Sequence, residues 1–295
     1  MHFHFDFARR WKLWFAFSGT LVVIAILALT IRGLNYGIDF TGGTQMDLRF
    51  THAVTSQAIT RTLDARRLGN STVVFIGSGH KETLITTPTI SESERTTLLA
   101  AMRSHVGPFK EVSTSRVSSI IGQQTERTAL LAVLLATVGI ILYIAIRFEF
   151  RFAIAAIIAL MHDVLITVGL IALIHISLSE YFVMAVLTIF GYSVNDTIII
   201  FDRIRENLQR QQRKEPLEDL VNRSLNQVLV RSINTSSTVL LALAAILIFG
   251  GSSIKDFAST MLIGVFLGTY SSIFIASPIW LLWRQRRPGP RARAA

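Results

Sequence analysis

The sequence has no cysteine, which excludes a disulfide scaffold, a thiolate metal site and a cysteine nucleophile, and leaves the redox compartment open. Charge is scarce as well. Asp, Glu, Lys and Arg make up 16% of the 295 residues, against about 25% in a typical soluble domain. Acid is scarcer than base, with 19 Asp and Glu against 29 Lys and Arg and a formal charge of +10. A polyanion-binding protein clusters its bases on folded polar surface. Here they fall between long apolar runs, so nucleic acid is not the partner the charge implies. No nucleophile–base pair or metal-ligand constellation stands out, and His2 and His4 have no further ligand at a useful spacing; an enzyme and a bound metal or organic cofactor are not expected. What is abundant is apolar: 51% of residues are hydrophobic and the mean hydropathy is +0.50, which excludes an ordinary soluble globular protein.

Trp14 to Ile31 is an uncharged run of 18 residues, about the minimum for a hydrocarbon core of roughly 30 Å at 1.5 Å per residue. Arg9, Arg10 and Lys12 before it would also suit a signal peptide. No small-residue cleavage site follows, however, and Trp and Phe crowd its start, so a retained helix over residues 14–32 is expected. Further runs at about 128–146, 152–175, 181–202, 232–250 and 257–283 make a polytopic α-helical membrane protein of six transmembrane helices. Lys and Arg in the short flanking segments set the orientation. The N-terminal segment 1–13 has three, the Arg147 to Arg151 link two, Arg203 to Arg231 seven, and the basic tail 284–295 five, whereas 177–180 and 251–256 contribute Lys255 alone. Both termini are therefore expected in the cytoplasm. Trp11, Trp14, Trp280 and Trp283 fall at that same interface, where amphipathic rings prefer to sit.

Residues 33–126 are the one stretch long enough to fold outside the membrane, and there period two replaces apolar runs. Met46, Leu48 and Phe50 alternate with polar neighbours, Val73 to Ile76 and Leu84 to Thr86 do so more loosely, and Lys110 to Val117 supplies a last strand. Ser56 to Leu68 and Ser91 to His105 carry helical spacing, the latter opened by a capping box at Ser91 and Glu94, and Gly77-Ser-Gly79 suits a hairpin turn. The order β-α-β-β-α-β predicts a ferredoxin-like extracytoplasmic α+β domain between helices 1 and 2.

Gly37-Ile-Asp39-Phe40-Thr-Gly42-Gly43-Thr44 has the outline of a phosphate loop, but Gly43 stands where the lysine should be. It also precedes a strand, not a helix whose amides could cradle a phosphate. A tight turn joining span to domain, with Asp39 capping local amides, accounts for it. Asp163, after His162, lies near the middle of the third span, and Asp196, after Asn195, lies inside the fourth. An ionisable group at such depth costs about 2.5 to 3.5 kcal/mol on the insertion scale and marks a functional candidate. For Asp163 a simple helix–helix hydrogen bond explains the residue equally well. For Asp196 function is favoured, with Arg231 as its expected partner, because Arg231 opens a span that continues through Asn234, Thr235, Ser236, Ser237 and Thr238, a polar patch that must face protein or water. Asn195 and Asp202 are seven apart, as are Asp196 and Arg203, so each pair repeats on one face after two turns. Asp202, Arg203 and Arg205 at the helix end fit either a solvated basic cap or a specific role. Gly264-x-x-x-Gly268 in the last span is a close-packing signature.

The junction motif Gly37 to Gly43, the segment Gly191-Tyr-Ser-Val-Asn-Asp-Thr-Ile-Ile-Ile-Phe-Asp-Arg-Ile-Arg-Glu-Asn207, and Arg231-Ser-Ile-Asn-Thr-Ser236 together resemble the SecF family, the smaller partners of SecD in bacterial protein export. The resemblance covers nearly the whole chain. It implies the fold of the RND-type transporter superfamily, a place in the cytoplasmic (inner) membrane, SecD as partner, association with the SecYEG channel, and use of the proton gradient to help draw preproteins outward. It also implies that Asp196 and Arg231 are the charged pair in this half of a proton relay, with H+ as coupling ion and Na+ the alternative. Asp163 enters that relay on depth alone. Two other classes compete: an RND-type small-molecule exporter, disfavoured by so few spans and so small an external domain, and a non-transporting assembly subunit of the translocon.

Overall fold

The computed structural model describes residues 5–77, 79–211 and 215–286. His2 and His4, Ser78 of the expected hairpin turn and the tail from residue 287 onward lie outside them. In chain order the elements are α1 (Trp11–Arg32), the single turn α2 (Ile38–Thr41), β1 (Gly43–Phe50), α3 (Ser56–Asp64), β2 (Thr72–Ile76), β3 (Glu82–Thr87), α4 (Glu92–His105) and β4 (Phe109–Val117). There follow α5 (Ser119–Arg147), α6 (Phe150–Ile174), α7 (Glu180–Gln209), α8 (Leu217–Phe249), α9 (Ser252–Ser271), a π-helical turn (Ser272–Ala276) and α10 (Ser277–Arg286). Six helical rods among the described residues, α1, α5, α6, α7, α8 and the last one that ends in α10, are long and apolar enough to cross a membrane. The chain divides into a helical unit, and a sheet unit comprising Tyr36–Leu131 and Ser177–Glu180.

In the sheet unit four antiparallel strands run in the order β2-β3-β1-β4, with α3 and α4 in the crossovers, which is the ferredoxin-like arrangement. Period two on β1 buries Met46, Leu48 and Phe50 against Ile59 and Leu63 of α3, Ile85 of β3, and Leu98 and Met102 of α4. The β1–β4 register slips between Asp47 and Leu48, whose partners are Ser113 and Glu111, so Val112 is skipped as a bulge. At the start of α4 the capping box is complete: Ser91 Oγ accepts the Glu94 N–H at 3.3 Å, and the Glu94 carboxylate accepts the Ser91 N–H at 2.7 Å.

The helical unit is assembled through small residues, as membrane bundles are. A Cβ at Gly169 of α6 would fall 2.3 Å from Ala25 Cβ of α1. Gly264 and Gly268 press their bare backbones on Ile189 and Ser193 of α7, where an added Cβ would lie 2.1 Å and 2.9 Å from the nearest side-chain atoms; the close-packing signature is spent on this contact. At one end Phe152 stacks on Trp280 at 4.6 Å and packs on Phe201 at 4.8 Å. Several helices run past the apolar runs that betray them in the sequence. Helix α8 begins at Leu217 rather than at 232, with Leu220, Val221, Leu225 and Leu229 buried on one face, and α5 begins at Ser119 rather than at 128. The α8 extension escapes a search for uninterrupted hydrophobicity because polar residues interleave the buried ones, and the α5 extension because it is largely polar and exposed.

Candidate functional site

Asp163 on α6 is fully buried. Its Oδ2 accepts hydroxyl hydrogen bonds from Ser193 of α7 and Ser271 of α9, both at 2.7 Å, and its Oδ1 lies 3.0 Å from Nδ1 of His162. One carboxylate therefore ties three helices together with both oxygens engaged. One turn further along α7, the Thr197 hydroxyl donates to the Ser193 carbonyl at 3.0 Å and lies 2.7 Å from the hydroxyl of Ser272, the first residue of the π-helical turn.

Asp196 is held differently. It is 4% exposed, its Oδ1 accepts a hydrogen bond from the Ser232 hydroxyl at 2.8 Å, and its Oδ2 is buried with no hydrogen-bond partner among the described residues. Ser236, one turn beyond Ser232, lies 2.6 Å from Thr269 of α9. The expected ion pair is not formed: Arg231 is exposed, and among the described residues its guanidinium makes no hydrogen bond or ion pair. The cause is helical phase. Successive residues are turned by about 100°, so with Ser232 and Ser236 facing inward, Arg231, Asn234, Thr235 and Thr238 face outward. Asn195 is likewise exposed while its neighbour Asp196 is buried. The partner of Asp196 on α8 is therefore the uncharged Ser232 and not the charged Arg231 expected beside it. In apolar surroundings a carboxyl oxygen without a donor is costly, and it is the position at which a proton can be taken up or released.

The charged end of α7 is a joint with α8. Arg203 donates to Gln227 at 2.7 Å and pairs with Glu206 at 2.5 Å, and Asn207 donates to Ser224 at 2.8 Å and Gln227 at 2.9 Å. Asp202 meets Arg147 of α5 at 3.5 Å. Arg205 is exposed and engages no described residue. Alongside, Asn222 accepts the backbone N–H groups of Phe7 and Ala8 at 2.9 Å and 2.8 Å and donates to Asp6 at 2.6 Å. Asn207 closes the segment that carries the family resemblance, whereas Asn222 carries no signal in spacing or composition.

Within the sheet unit the junction motif is more than a turn. Gly42 and Gly43 have φ of +72° and +145°, conformations that favour glycine, and added Cβ atoms would lie 2.8 Å from Ser119 Cα and 2.7 Å from the Thr87 carbonyl oxygen. The Gly37 N–H donates to the Leu178 carbonyl at 2.7 Å. The Asp39 carboxylate accepts the backbone N–H of Glu180 at 3.1 Å, so the amide it caps belongs to the first residue of α7 and not to its own turn. Phe40 is half-buried, and its carbonyl oxygen would lie 2.7 Å from a Cβ at Gly122 of α5.

Two family models match the chain: "Protein export membrane protein SecD/SecF, C-terminal" over residues 98–286 and "SecD/SecF GG Motif" over residues 27–54. The second embraces the junction motif. Protein translocase subunit SecF of Sebaldella termitidis is 39% identical over 283 residues, 94% of this chain and 91% of that protein. Protein translocase subunit SecDF of Bacillus subtilis is 37% identical over 95% of this chain. The crystal structure of SecDF from Thermus thermophilus superposes with a TM-score of 0.88 at 36% identity, covering 96% of this chain. This chain spans 38% of the Bacillus protein and 39% of the Thermus chain.

Proposed function

The chain belongs to the SecD/SecF family of protein-export membrane proteins, and on that premise we propose that it is a SecF-type subunit which, with SecD, uses the proton gradient to promote preprotein translocation across the cytoplasmic membrane. The observation that carries the reading is Asp196, a buried carboxyl with one oxygen held by Ser232 and the other without a hydrogen-bond partner among the described residues. A proton moves on and off that second oxygen. An arginine nearby favours the ionised form of a carboxyl and burial away from it the neutral form, so a displacement that alters the separation of Asp196 and Arg231 switches the state. Each proton crossing yields about 2.3 kcal/mol per 100 mV, enough to bias a bistable helix packing.

SecD completes the site. Arg231, Asn234, Thr235 and Thr238 form an exposed polar face on a helix otherwise fit for lipid, and within a bilayer such a face needs protein or water against it. The SecDF names of longer relatives, in which a chain like this one is a part, support the same partner. Both termini are cytoplasmic, the sheet unit grips and releases the emerging preprotein beside SecYEG, and H+ is the coupling ion with Na+ as the alternative to test. Asp163, with both oxygens engaged, serves in this scheme as the anchor for α6, α7 and α9.

The test is gradient-dependent preprotein export in cells or vesicles lacking native SecF, comparing the wild-type chain with Asp196→Asn at matched protein and SecD levels. Loss of export with the complex intact is expected. Undiminished export by Asp196→Asn would remove the relay, and parallel loss of SecD would favour an assembly subunit instead.

A further inference from the structure

Three features of the sheet unit meet at the single turn α2. The first is Asp39 on the backbone N–H of Glu180, the first residue of α7. Opening N–H groups of a helix have no partner within it, and a carboxylate there is favoured by the helix dipole; Asp39 caps α7 from a segment 141 residues away. The second is the closeness of Gly37, whose N–H bonds the Leu178 carbonyl at 2.7 Å and whose Cβ, were there one, would lie 2.7 Å from that same oxygen. Tyr36 forms a parallel bridge with Leu178 in the same place. The third is the grip of the motif on the start of α5, through Gly42 against Ser119 and Gly122 against the Phe40 carbonyl. One turn of helix thus holds the first residues of two long helices and, through Gly43, the start of β1.

We infer that Asp39 is a positioning residue that clamps the start of α7 to the junction motif, so that displacement of the helix carrying Asp196 is delivered to the sheet unit through residues 177–180. A helix is stiff along its axis. From Glu180 to Asp196 is about 24 Å at 1.5 Å per residue, and a shift at the carboxyl reaches the clamp undiminished as long as the α7 end is fastened. With the clamp open, the loop absorbs the shift. The inference rests on proton-coupled export as proposed above and adds the element that transmits it.

The test uses the full chain in complex with SecD, and cysteine pairs are unambiguous on this chain because it has none. Asp39→Ala is expected to lower gradient-driven export about fivefold to tenfold, the scale on which capping and helix-terminus charge effects act. Asp39→Asn, whose amide oxygen still accepts the Glu180 N–H, retains most of it. Adding Tyr36→Cys and Leu178→Cys to Asp39→Ala should restore export on oxidation and lose it again on reduction of the same sample, a reversal that misfolding cannot produce. The same cysteine pair in the otherwise unchanged chain should export normally when oxidised. Full export by Asp39→Ala, or arrest of the oxidised pair with Asp39 present, overturns the clamp. Failure of the underlying reading looks different: wild-type export would be indifferent to collapse of the gradient, or Asp196→Asn would export normally, and the clamp would then have nothing to transmit.

Discussion

Replacing Asp163 by leucine should be far more damaging than replacing it by asparagine, and the difference separates an anchor from a proton carrier. The carboxylate accepts from Ser193 and Ser271 on one oxygen and faces His162 Nδ1 with the other. Leucine leaves all three groups buried without their partner. At about 1 to 3 kcal/mol for each unsatisfied group, and with Ser271 able to fall back on the Gly268 carbonyl that its hydroxyl already reaches at 3.2 Å, the sum lies near the lower end, roughly 3 to 5 kcal/mol. Asparagine keeps an oxygen for both serines and places its amide group at Nδ1 of His162, so its cost should stay near 1 kcal/mol, about that of one ordinary hydrogen bond. Unfolding of the full chain in bilayers by steric trapping measures the two costs, and gradient-driven export measures function beside them. An anchor predicts that Asp163→Asn is stable and active. If Asp163→Asn were as stable as wild type yet inactive in export, the anchoring role would fall and Asp163 would join Asp196 in the proton path; equal destabilisation by both substitutions would refute the hydrogen-bond accounting.

Gly264→Ala should destabilise the bundle by about 1 to 3 kcal/mol through overpacking, because its Cβ would fall 2.1 Å from Ile189 Cδ1; a double-mutant cycle with Ile189→Ala checks this, and strict additivity would contradict the contact. Ser232→Ala removes the hydrogen bond that, among the described residues, alone reaches the Asp196 carboxyl, worth about 1.5 to 3 kcal/mol to a charged group, and should reduce gradient-driven export about tenfold at unchanged complex level, whereas Ser232→Thr should largely preserve it. Asn222→Ala should release Phe7 and Ala8, whose N–H groups it holds at 2.9 Å and 2.8 Å, read as faster amide exchange there with α1 unaffected. In the sheet unit the carboxyl of Glu92 is held below its ordinary value of 4.5 chiefly by the hydrogen bond from Arg95, and that of Glu94 by the Ser91 N–H. For carboxyls depressed on folding the stabilisation is present above about pH 4.5 and fades as pH falls through the folded-state values, so protection of the α4 amides, corrected for intrinsic exchange, should decline below that pH and not at neutrality.

Long, charge-free runs make six spans legible because a bilayer core imposes a length, and Met46, Leu48 and Phe50 announce a sheet because burial on one face imposes period two; all three are buried. Gly264 and Gly268 are legible for the same reason, a steric demand written at fixed spacing. The hydrogen-bonded layer is not. Ser193, Ser271, Ser232 and Thr197 interrupt no hydrophobic run and carry no charge, and whether a hydroxyl turns inward depends on rotation of the helix about its axis. A difference of one residue, about 100°, decides that Ser232 and not Arg231 touches Asp196. The junction motif is legible as a turn, since its glycines and Asp39 are local. Its partners Leu178 and Glu180 are not, because nothing in either segment specifies the other.

The π-helical turn at Ser272–Ala276 makes the chain length of the last rod a fixed quantity. Such a turn accommodates one residue more than an α-helix would, and it sits between Ser271, which serves Asp163, and Trp280, which stacks on Phe152. Deleting a single residue there would let a regular helix re-form, rotating everything beyond it by about 100° and drawing it back about 1.5 Å. The indole would then leave its ring partner although no contacting side chain had been altered. Deletions in this segment should therefore be as disruptive as substitutions in the core, and the extra residue acts as a phase setter that lets one helix obey two different alignments, one for the hydroxyl layer and one for the aromatic end.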